Sequence, residues 1–346
     1  MATDVRNVEE KLDENLLAVL PKGGQVVSVS PSGMSDYVNT YRIEVSMPDG
    51  STLVFFEKEG SGQEGVELME SAFTSETTTY EFIPEHVPRP IAKGTYKSRP
   101  DVHFFVAEFF EMIDDDIPRP DSYMSAVAAL HMRSMGKSPN GKFGFAVNTR
   151  FGNLEQDNSW TDTWEEFWTR QMNDFLERED AAHEGEYHAE LERLRPLFFD
   201  KVLPRYLRPL ESDGRSVTPC LLHADLWPGN VKYKEDGETV CVYDACAMWG
   251  HNEVDLGVFR NPRYPLGKPY LKEYWKQVPI SEPEEDVDSR NTLYMLRNQI
   301  LLSTLYPQDP KLREIVVSNM RLLVEKVEAE ELEAANRNMA PIQAHL

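Results

Sequence analysis

The sequence predicts an α+β protein in two lobes: a small N-terminal lobe of β-sheet plus helix, and a larger, mainly α-helical C-terminal lobe. Three observations lead there. Residues 25–58 alternate strand-like apolar runs with turn residues, as a β-meander does. Beyond Pro120 the apolar residues recur mostly at helical spacing. The stretch between, Asp114-Asp115-Asp116-Ile117-Pro118-Arg119-Pro120, is acidic and proline-rich and reads as a solvated connection. A chain of 346 residues is long enough to bury a core in each lobe. The expected boundaries are a helical extension over 1–24, an N-terminal lobe over 25–112, a C-terminal lobe over 113–335 and a tail over 336–346.

The meander opens with Val26-Val27-Ser28-Val29-Ser30 and passes a small-residue loop, Pro31-Ser32-Gly33-Met34-Ser35. It returns through Tyr41-Arg42-Ile43-Glu44-Val45, turns at Pro48-Asp49-Gly50 and closes with Leu53-Val54-Phe55-Phe56. Such a loop can lay backbone N–H groups over phosphate oxygens; an ordinary hairpin loop has the same composition. Gly60-Ser61-Gly62-Gln63-Glu64-Gly65 spells G-x-G-x-x-G. A dinucleotide fingerprint needs a βαβ unit around those glycines, and here the preceding strand ends a hairpin. The glycines therefore read as the hinge into a helix over 66–74. Phe104-Phe105-Val106-Ala107-Glu108-Phe109-Phe110 reads as a buried strand.

Helices fit 122–135, 160–177, 189–207, 291–305 and 311–335. In the second of these, Trp164, Phe167, Trp168, Met172, Phe175 and Leu176 share one face, and Thr163 with Glu166 makes a capping box. That aromatic stripe reads as core, as does His131 on the apolar face of 122–135.

Composition narrows the function classes. No stretch approaches eighteen uninterrupted apolar residues, so no membrane span is expected. Residues 1–15 are acidic and lack the apolar core of a signal peptide. The three cysteines, Cys220, Cys241 and Cys246, form no disulfide framework and no CxxC pair; they suit a reducing cytosol, so a cytoplasmic protein is expected. A net charge of −23 without a basic cluster argues against a nucleic-acid partner. It favours cationic amines and requires Mg²⁺ and a few placed lysines if a nucleotide binds.

The chain's chemistry gathers in His223-Ala224-Asp225-Leu226-Trp227-Pro228-Gly229-Asn230 and, fourteen residues beyond Asn230, Asp244. The apolar runs 217–222 and 240–243 read as buried strands that hold these residues, with a hairpin turn at Asp236-Gly237. One carboxylate can accept a hydroxyl proton while an amide and a second carboxylate hold magnesium. Phosphoryl transfer needs such parts, because positioning and charge neutralisation supply most of its catalysis.

The same loop is similar to the HGDLWxGN loop of the fructosamine kinase (ketosamine-3-kinase) family, an aminoglycoside-phosphotransferase branch of the protein-kinase-like fold. The resemblance runs on through Tyr243-Asp244-Ala245 and Gly250-His251-Asn252-Glu253-Val254-Asp255-Leu256-Gly257. It also covers Ser138-Pro139-Asn140-Gly141-Lys142-Phe143-Gly144-Phe145, Gln156-Asp157-Asn158-Ser159-Trp160 and Ser281-Glu282-Pro283-Glu284-Glu285-Asp286. Fungal members in particular look like this chain from about residue 25 to residue 328.

The resemblance implies a bilobal kinase-like fold, ATP and Mg²⁺ as cofactors, and Asp225 as the base for a sugar hydroxyl. Asn230 and Asp244 become metal ligands and Lys58 the ATP-phosphate lysine. Ser32, Gly33, Met34 and Ser35 would cover the phosphates, and Glu108, Phe109 and Phe110 would form the adenine-reading hinge. Trp227, His223, His251 and Glu253 are carried over as substrate residues, and Asp255 as the buried brace of the catalytic loop. The implied reaction is phosphorylation of a ketosamine, such as a fructosamine or ribulosamine, at O3. A phosphate there can leave by elimination and free the amine, a deglycation. A monomer is expected. The alternatives are a phosphotransferase for another hydroxylated amine, an amino alcohol or aminoglycoside, and a silent pseudokinase.

Three departures stand out. Ala224 replaces a glycine, which is tolerable only if its φ is negative. Ala245 follows Asp244 where the family has proline. Ala72 occupies the position of the helix glutamate that partners the lysine, with Glu70 and Glu76 nearby.

Overall fold

A computed structural model describes residues 12–33, 38–113, 117–185 and 188–339. Helix α1 (Glu14–Val19) precedes strands β1 (Gln25–Pro31), β2 (Asn39–Ser46) and β3 (Thr52–Ser61). Helix α2 (Gly62–Phe82) leads to strands β4 (Pro90–Thr95), β5 (Val102–Glu108) and β6 (Met112–Ile113). Helix α3 (Pro120–Ser134) and a hairpin of β7 (Thr149–Phe151) and β8 (Leu154–Gln156) follow. Next are helices α4 (Trp164–Ala182), α5 (Ala189–Leu197) and α6 (Leu203–Leu207). Short strands β9 (Cys220–Leu222), β10 (Val231–Lys234), β11 (Val240–Val242) and β12 (Met248–Gly250) precede helices α7 (Lys268–Tyr274), α8 (Val287–Leu305) and α9 (Pro310–Met339). The fold is α+β, as expected, and no helix among the described residues is long and apolar enough to cross a membrane.

The chain forms two compact units, neither continuous in sequence. The first comprises residues 1–134, 145–159 and 221–248; the second comprises 135–144, 160–220 and 249–346.

In the first unit, five antiparallel strands lie in the order β1-β2-β3-β5-β4. Strand alternation sends Phe55, Glu57 and Glu59 to one face and leaves Lys58 on the other. Phe55 joins a core with Leu16 of α1, Ile43, Val45, Phe104 and Val106. On α2, Met69, with Ala72 and Phe73 beside it, packs on Phe105 and Ala107. Asp13 caps α1 and also accepts from the backbone of Lys97 and Ser98 at 2.8 and 2.7 Å. Burial works against the Asp13 carboxylate, yet these bonds hold its pKa well below the usual carboxylate range.

The G-x-G-x-x-G stretch is the turn from β3 into α2. A Cβ on Gly65 would stand 2.4 Å from the carbonyl carbon of Gly60, so strand and helix approach too closely for any side chain there. The helix begins at Gly62 and runs to Phe82, beyond the expected 66–74. A second sheet orders β11-β10-β6, and the β7–β8 hairpin meets α2 through Arg150.

The second unit is helical around an aromatic core. Thr163 caps α4 by accepting from the Glu166 N–H at 3.3 Å, as the capping box anticipates. Trp164, Phe167, Trp168 and Phe175 are buried, and the Trp164 indole donates to Tyr294 of α8 at 2.9 Å. The helix expected over 189–207 is α5, a π-helical turn over Phe198–Val202, then α6. Pro196 lacks an N–H donor just where the helix loosens.

Candidate active site

The loop 223–230 lies in the first unit and is folded back upon itself. His223 is fully buried; its Nδ1 accepts from the Asp225 N–H at 3.2 Å and its Nε2 lies 3.0 Å from the Tyr243 carbonyl. Both bonds form when Nε2 carries the proton. The carbonyl of His223 accepts from Cys246 N–H at 3.0 Å. His223 therefore ties the loop to the segment around Asp244, and its ring nitrogens are engaged within the protein.

Ala224 has φ +63°, which corrects the expectation of a negative φ. The tight turn between His223 and Asp225 imposes the left-handed conformation whether or not glycine is present.

Asn230 directs its amide NH₂ at Asp225, 2.8 Å from Oδ2 and 3.0 Å from the backbone oxygen. With both donors turned that way, its carbonyl oxygen is left for other partners. The Asn230 backbone oxygen accepts from Tyr243 N–H at 3.1 Å, and the Tyr243 hydroxyl donates to the Gly229 carbonyl at 2.7 Å. Trp227 is 38% exposed. A Cβ on Gly229 would lie 2.1 Å from the Trp227 ring, so the missing side chain lets the indole pack closely on the loop.

Asp244, half exposed at φ +57°, receives Lys58 Nζ at 2.5 Å across 186 positions of sequence. Glu76, on α2, accepts from the Ala245 N–H at 3.2 Å. Burial, with the Asp244 charge adding to it, pushes the Glu76 carboxyl up to about 8, against the pull of Ala245 N–H and Lys58. Ala72 itself contributes no carboxylate here. That residue packs with Met69 and Phe105, Glu70 pairs with Lys93, and Glu76 one turn on stands beside the lysine–aspartate pair.

Of the other expected site residues, Ser32 donates its N–H to Thr40 O at 2.9 Å and Gly33 has φ +73°. Met34 and Ser35 lie outside the described residues. Glu108 N–H bonds Arg89 O at 2.9 Å and Phe109 N–H bonds Val54 O at 3.0 Å. The Arg42 guanidinium lies 5.2 Å from the Phe109 ring centre, and Lys234 Nζ lies 3.7 Å from that of Phe110.

His251, Glu253 and Asp255 are buried in the second unit. The His251 ring nitrogens lie 2.8 Å from the hydroxyls of Tyr294 and Ser281. Glu253 accepts two bonds from buried Arg290, at 2.7 and 2.9 Å. Burial raises the Cys220 thiol, and the charge of Asp255 adds to it. His251 and Glu253 are thus satisfied inside the unit, as scaffold residues are.

An amide oxygen and a carboxylate form a hard-oxygen donor set of the kind that holds Mg²⁺ together with phosphate oxygens. The site thus fits that ion. Cys220, Cys241 and Cys246 are buried and form no disulfide, and burial pushes the Cys241 thiol up to about 12. Sequence reasoning passed over Ser75 and Thr149, whose side chains reach the segment after Asp244. Nothing in their local spacing marks them.

A family profile described as fructosamine kinase matches residues 45–309. The chain is 28% identical over 242 residues to a chloroplastic protein-ribulosamine 3-kinase of rice (Oryza sativa subsp. indica), a match covering 68% of this chain and 63% of that one. The match thus spans less than two thirds of the rice protein's length. Among solved structures, a Thermobifida fusca protein assigned as a fructosamine-3-kinase superposes with a TM-score of 0.66 at 22% identity, covering 91% of this chain and 99% of that one. A thermostable mutant of aminoglycoside phosphotransferase APH(4)-Ia, in ternary complex with AMP-PNP and hygromycin B, gives 0.59 at 13% identity, covering 91% and 98%.

Proposed function

The chain belongs to the fructosamine kinase family, and on that premise we propose that it transfers the γ-phosphoryl group of Mg·ATP to a ketosamine, at O3 of a fructosamine or ribulosamine. The observation that carries this reading is the pairing of Lys58 with Asp244 in the same unit as the Asn230–Asp225 contact. The rice relative is itself named a ribulosamine 3-kinase, which supports the acceptor class.

In this reading Asp225 accepts the proton of the attacking hydroxyl, and the Asn230 amide fixes the carboxylate's rotamer. Asn230 Oδ1 and Asp244 would hold Mg²⁺, whose chemistry when bound would be to neutralise charge on the transferring phosphate oxygens. Lys58 steadies the phosphates. Glu76 holds Ala245, next to the metal ligand, and lies close enough to Lys58 to feel its charge. Ser32 and Gly33 belong to the loop over the phosphates, and Glu108 to Phe110 present backbone to the adenine. Trp227 offers a flat apolar face to the sugar ring. His223, His251, Glu253 and Asp255 act as supports, since each is buried among protein partners. The nucleotide-covering lobe over 25–112 and the substrate lobe over 113–335 are part of the same proposal. So is action as a cytosolic monomer, which the unbridged cysteines fit.

The test is transfer from Mg·ATP to a fructosamine and a ribulosamine, read by mass spectrometry, with Asp225→Asn beside the wild type. The expected result is a phosphorylated ketosamine, with Asp225→Asn binding ATP normally but losing about 10²–10⁴ in turnover. Transfer only to an amino alcohol or aminoglycoside would replace the acceptor. Bound ATP with no acceptor phosphorylated would make the protein a silent binding module.

A further inference from the structure

Residues 145–159 have no part in the chemistry above, yet Gln156 and Asn158 are buried, and so is Thr149 at the head of the hairpin. The Thr149 hydroxyl accepts from Asn158 Nδ2 at 2.7 Å and from Gln156 Nε2 at 3.4 Å. A hydroxyl has two acceptor positions and one proton. With amide groups in both acceptor positions, its proton is directed to the Cys246 carbonyl, 3.4 Å away.

The same short segment is held from two more sides. Ala247 N–H donates to Ser75 Oγ at 3.2 Å and Ala245 N–H to Glu76 Oε1 at 3.2 Å, both on α2. Cys246 N–H donates to the His223 carbonyl of the catalytic loop at 3.0 Å. The hairpin is itself fastened to α2, by Arg150 N–H to Ser71 Oγ at 3.1 Å and by the Arg150–Glu67 ion pair. Asp244, directly before this segment, sits at φ +57°. A non-glycine residue keeps that conformation only where its surroundings over-determine it.

We propose that Thr149 is a positioning residue for Asp244: together with Ser75 it locks residues 245–247, and this keeps the Asp244 carboxylate aimed for Mg·nucleotide. The inference rests on the reading of Asp244 as a metal ligand. It gives Gln156 and Asn158 a physical task, which is to orient one hydroxyl.

The experiment is calorimetry of ADP binding, with and without Mg²⁺, on wild type, Thr149→Val, Thr149→Ser and Ser75→Ala. The valine is nearly isosteric and removes only the hydroxyl. Thr149→Val should weaken Mg·ADP binding about five- to thirty-fold, the effect of one or two lost hydrogen bonds. Metal-free ADP should bind within about two-fold of wild type, since the loss is confined to the metal ligand. Thr149→Ser restores the hydroxyl and should restore the magnesium effect, which a purely structural loss would not separate from metal-free binding.

A folded Thr149→Val that binds Mg·ADP as tightly as wild type overturns the inference. Should Thr149→Val fail to fold, Ser75→Ala decides by the same criterion. A wild type whose ADP affinity ignores Mg²⁺ removes the metal-ligand reading and this inference with it. A wild type that responds, with variants that respond equally, removes the inference alone.

Discussion

Two left-handed residues without glycine's freedom bracket the chemistry: Ala224 at φ +63° and Asp244 at +57°. At Asp244 the side chain is the proposed metal ligand, so its backbone strain of about 1–3 kcal/mol must be sustained by neighbouring contacts. At Ala224 the methyl group has no such role. Ala224→Gly should therefore raise stability by about 0.5–1 kcal/mol, the left-handed penalty less the entropy glycine adds to the unfolded chain. Denaturant titration reads this, and no gain would mean the turn is unstrained. Gly229 poses the opposite case. Gly229→Ala drives a methyl into the Trp227 ring, so the acceptor KM should rise more than about five-fold while ATP affinity stays, the loss of one positioned aromatic contact. An unchanged acceptor KM would take Trp227 out of the sugar pocket.

At the scale of one element, β3 carries opposite chemistry on its two faces. Lys58 reaches Asp244 from one, while Glu57 and Glu59 enter the core-facing side. Glu59 accepts from Arg99 at 3.1 Å and Asn39 at 3.2 Å, and Glu57 accepts the Tyr96 hydroxyl. Burial, reinforced by Glu59 and opposed by the Tyr96 hydrogen bond and Arg99, pushes Glu57 up to about 7. A carboxyl raised in the folded state binds more protons folded than unfolded, so its effect is to make stability fall as pH rises from 4.5 to about 7. Glu57→Gln, neutral throughout, should flatten the decline in melting temperature over that window. Parallel wild-type and mutant profiles would remove Glu57 as the source. Glu76, raised to about 8, adds a decline that persists to higher pH and that the Glu57 variant retains.

Over the whole molecule, a net charge of −23 sets the field in which any ligand arrives. On the proposed function Mg·ATP enters against it, and Lys58 with the metal would offset the repulsion locally. The proposed acceptor, a ketosamine that keeps a protonated amine, would be attracted instead. Raising salt from about 20 to about 200 mM shortens the Debye length roughly three-fold, from about 20 to about 7 Å. The KM of a cationic acceptor should then rise severalfold, while that of a neutral polyol acceptor should not. Equal shifts for both would show that the acidity has no part in acceptor capture.

The sequence by itself determined the α+β class, the N-terminal meander, the principal helices and the loop that unites Asp225 with Asn230, but not β4, the β7–β8 hairpin, β12 or α7. The features it determined rest on local periodicity and on groups five residues apart, which a short loop must bring together. It also marked Lys58 and Asp244 through the resemblance, though nothing local pairs two residues 186 positions apart. Only tertiary structure decided that Glu76 rather than Ala72 stands by that pair, because the burial of one helix face depends on what packs against it. The positive φ at Ala224 belongs to the same class, since the turn geometry overrides the residue's preference. So do the hydroxyls of Ser75 and Thr149, which become a clamp only when α2, the hairpin and the segment after Asp244 meet. A hydroxyl carries no pattern in sequence; its partner is chosen by the fold.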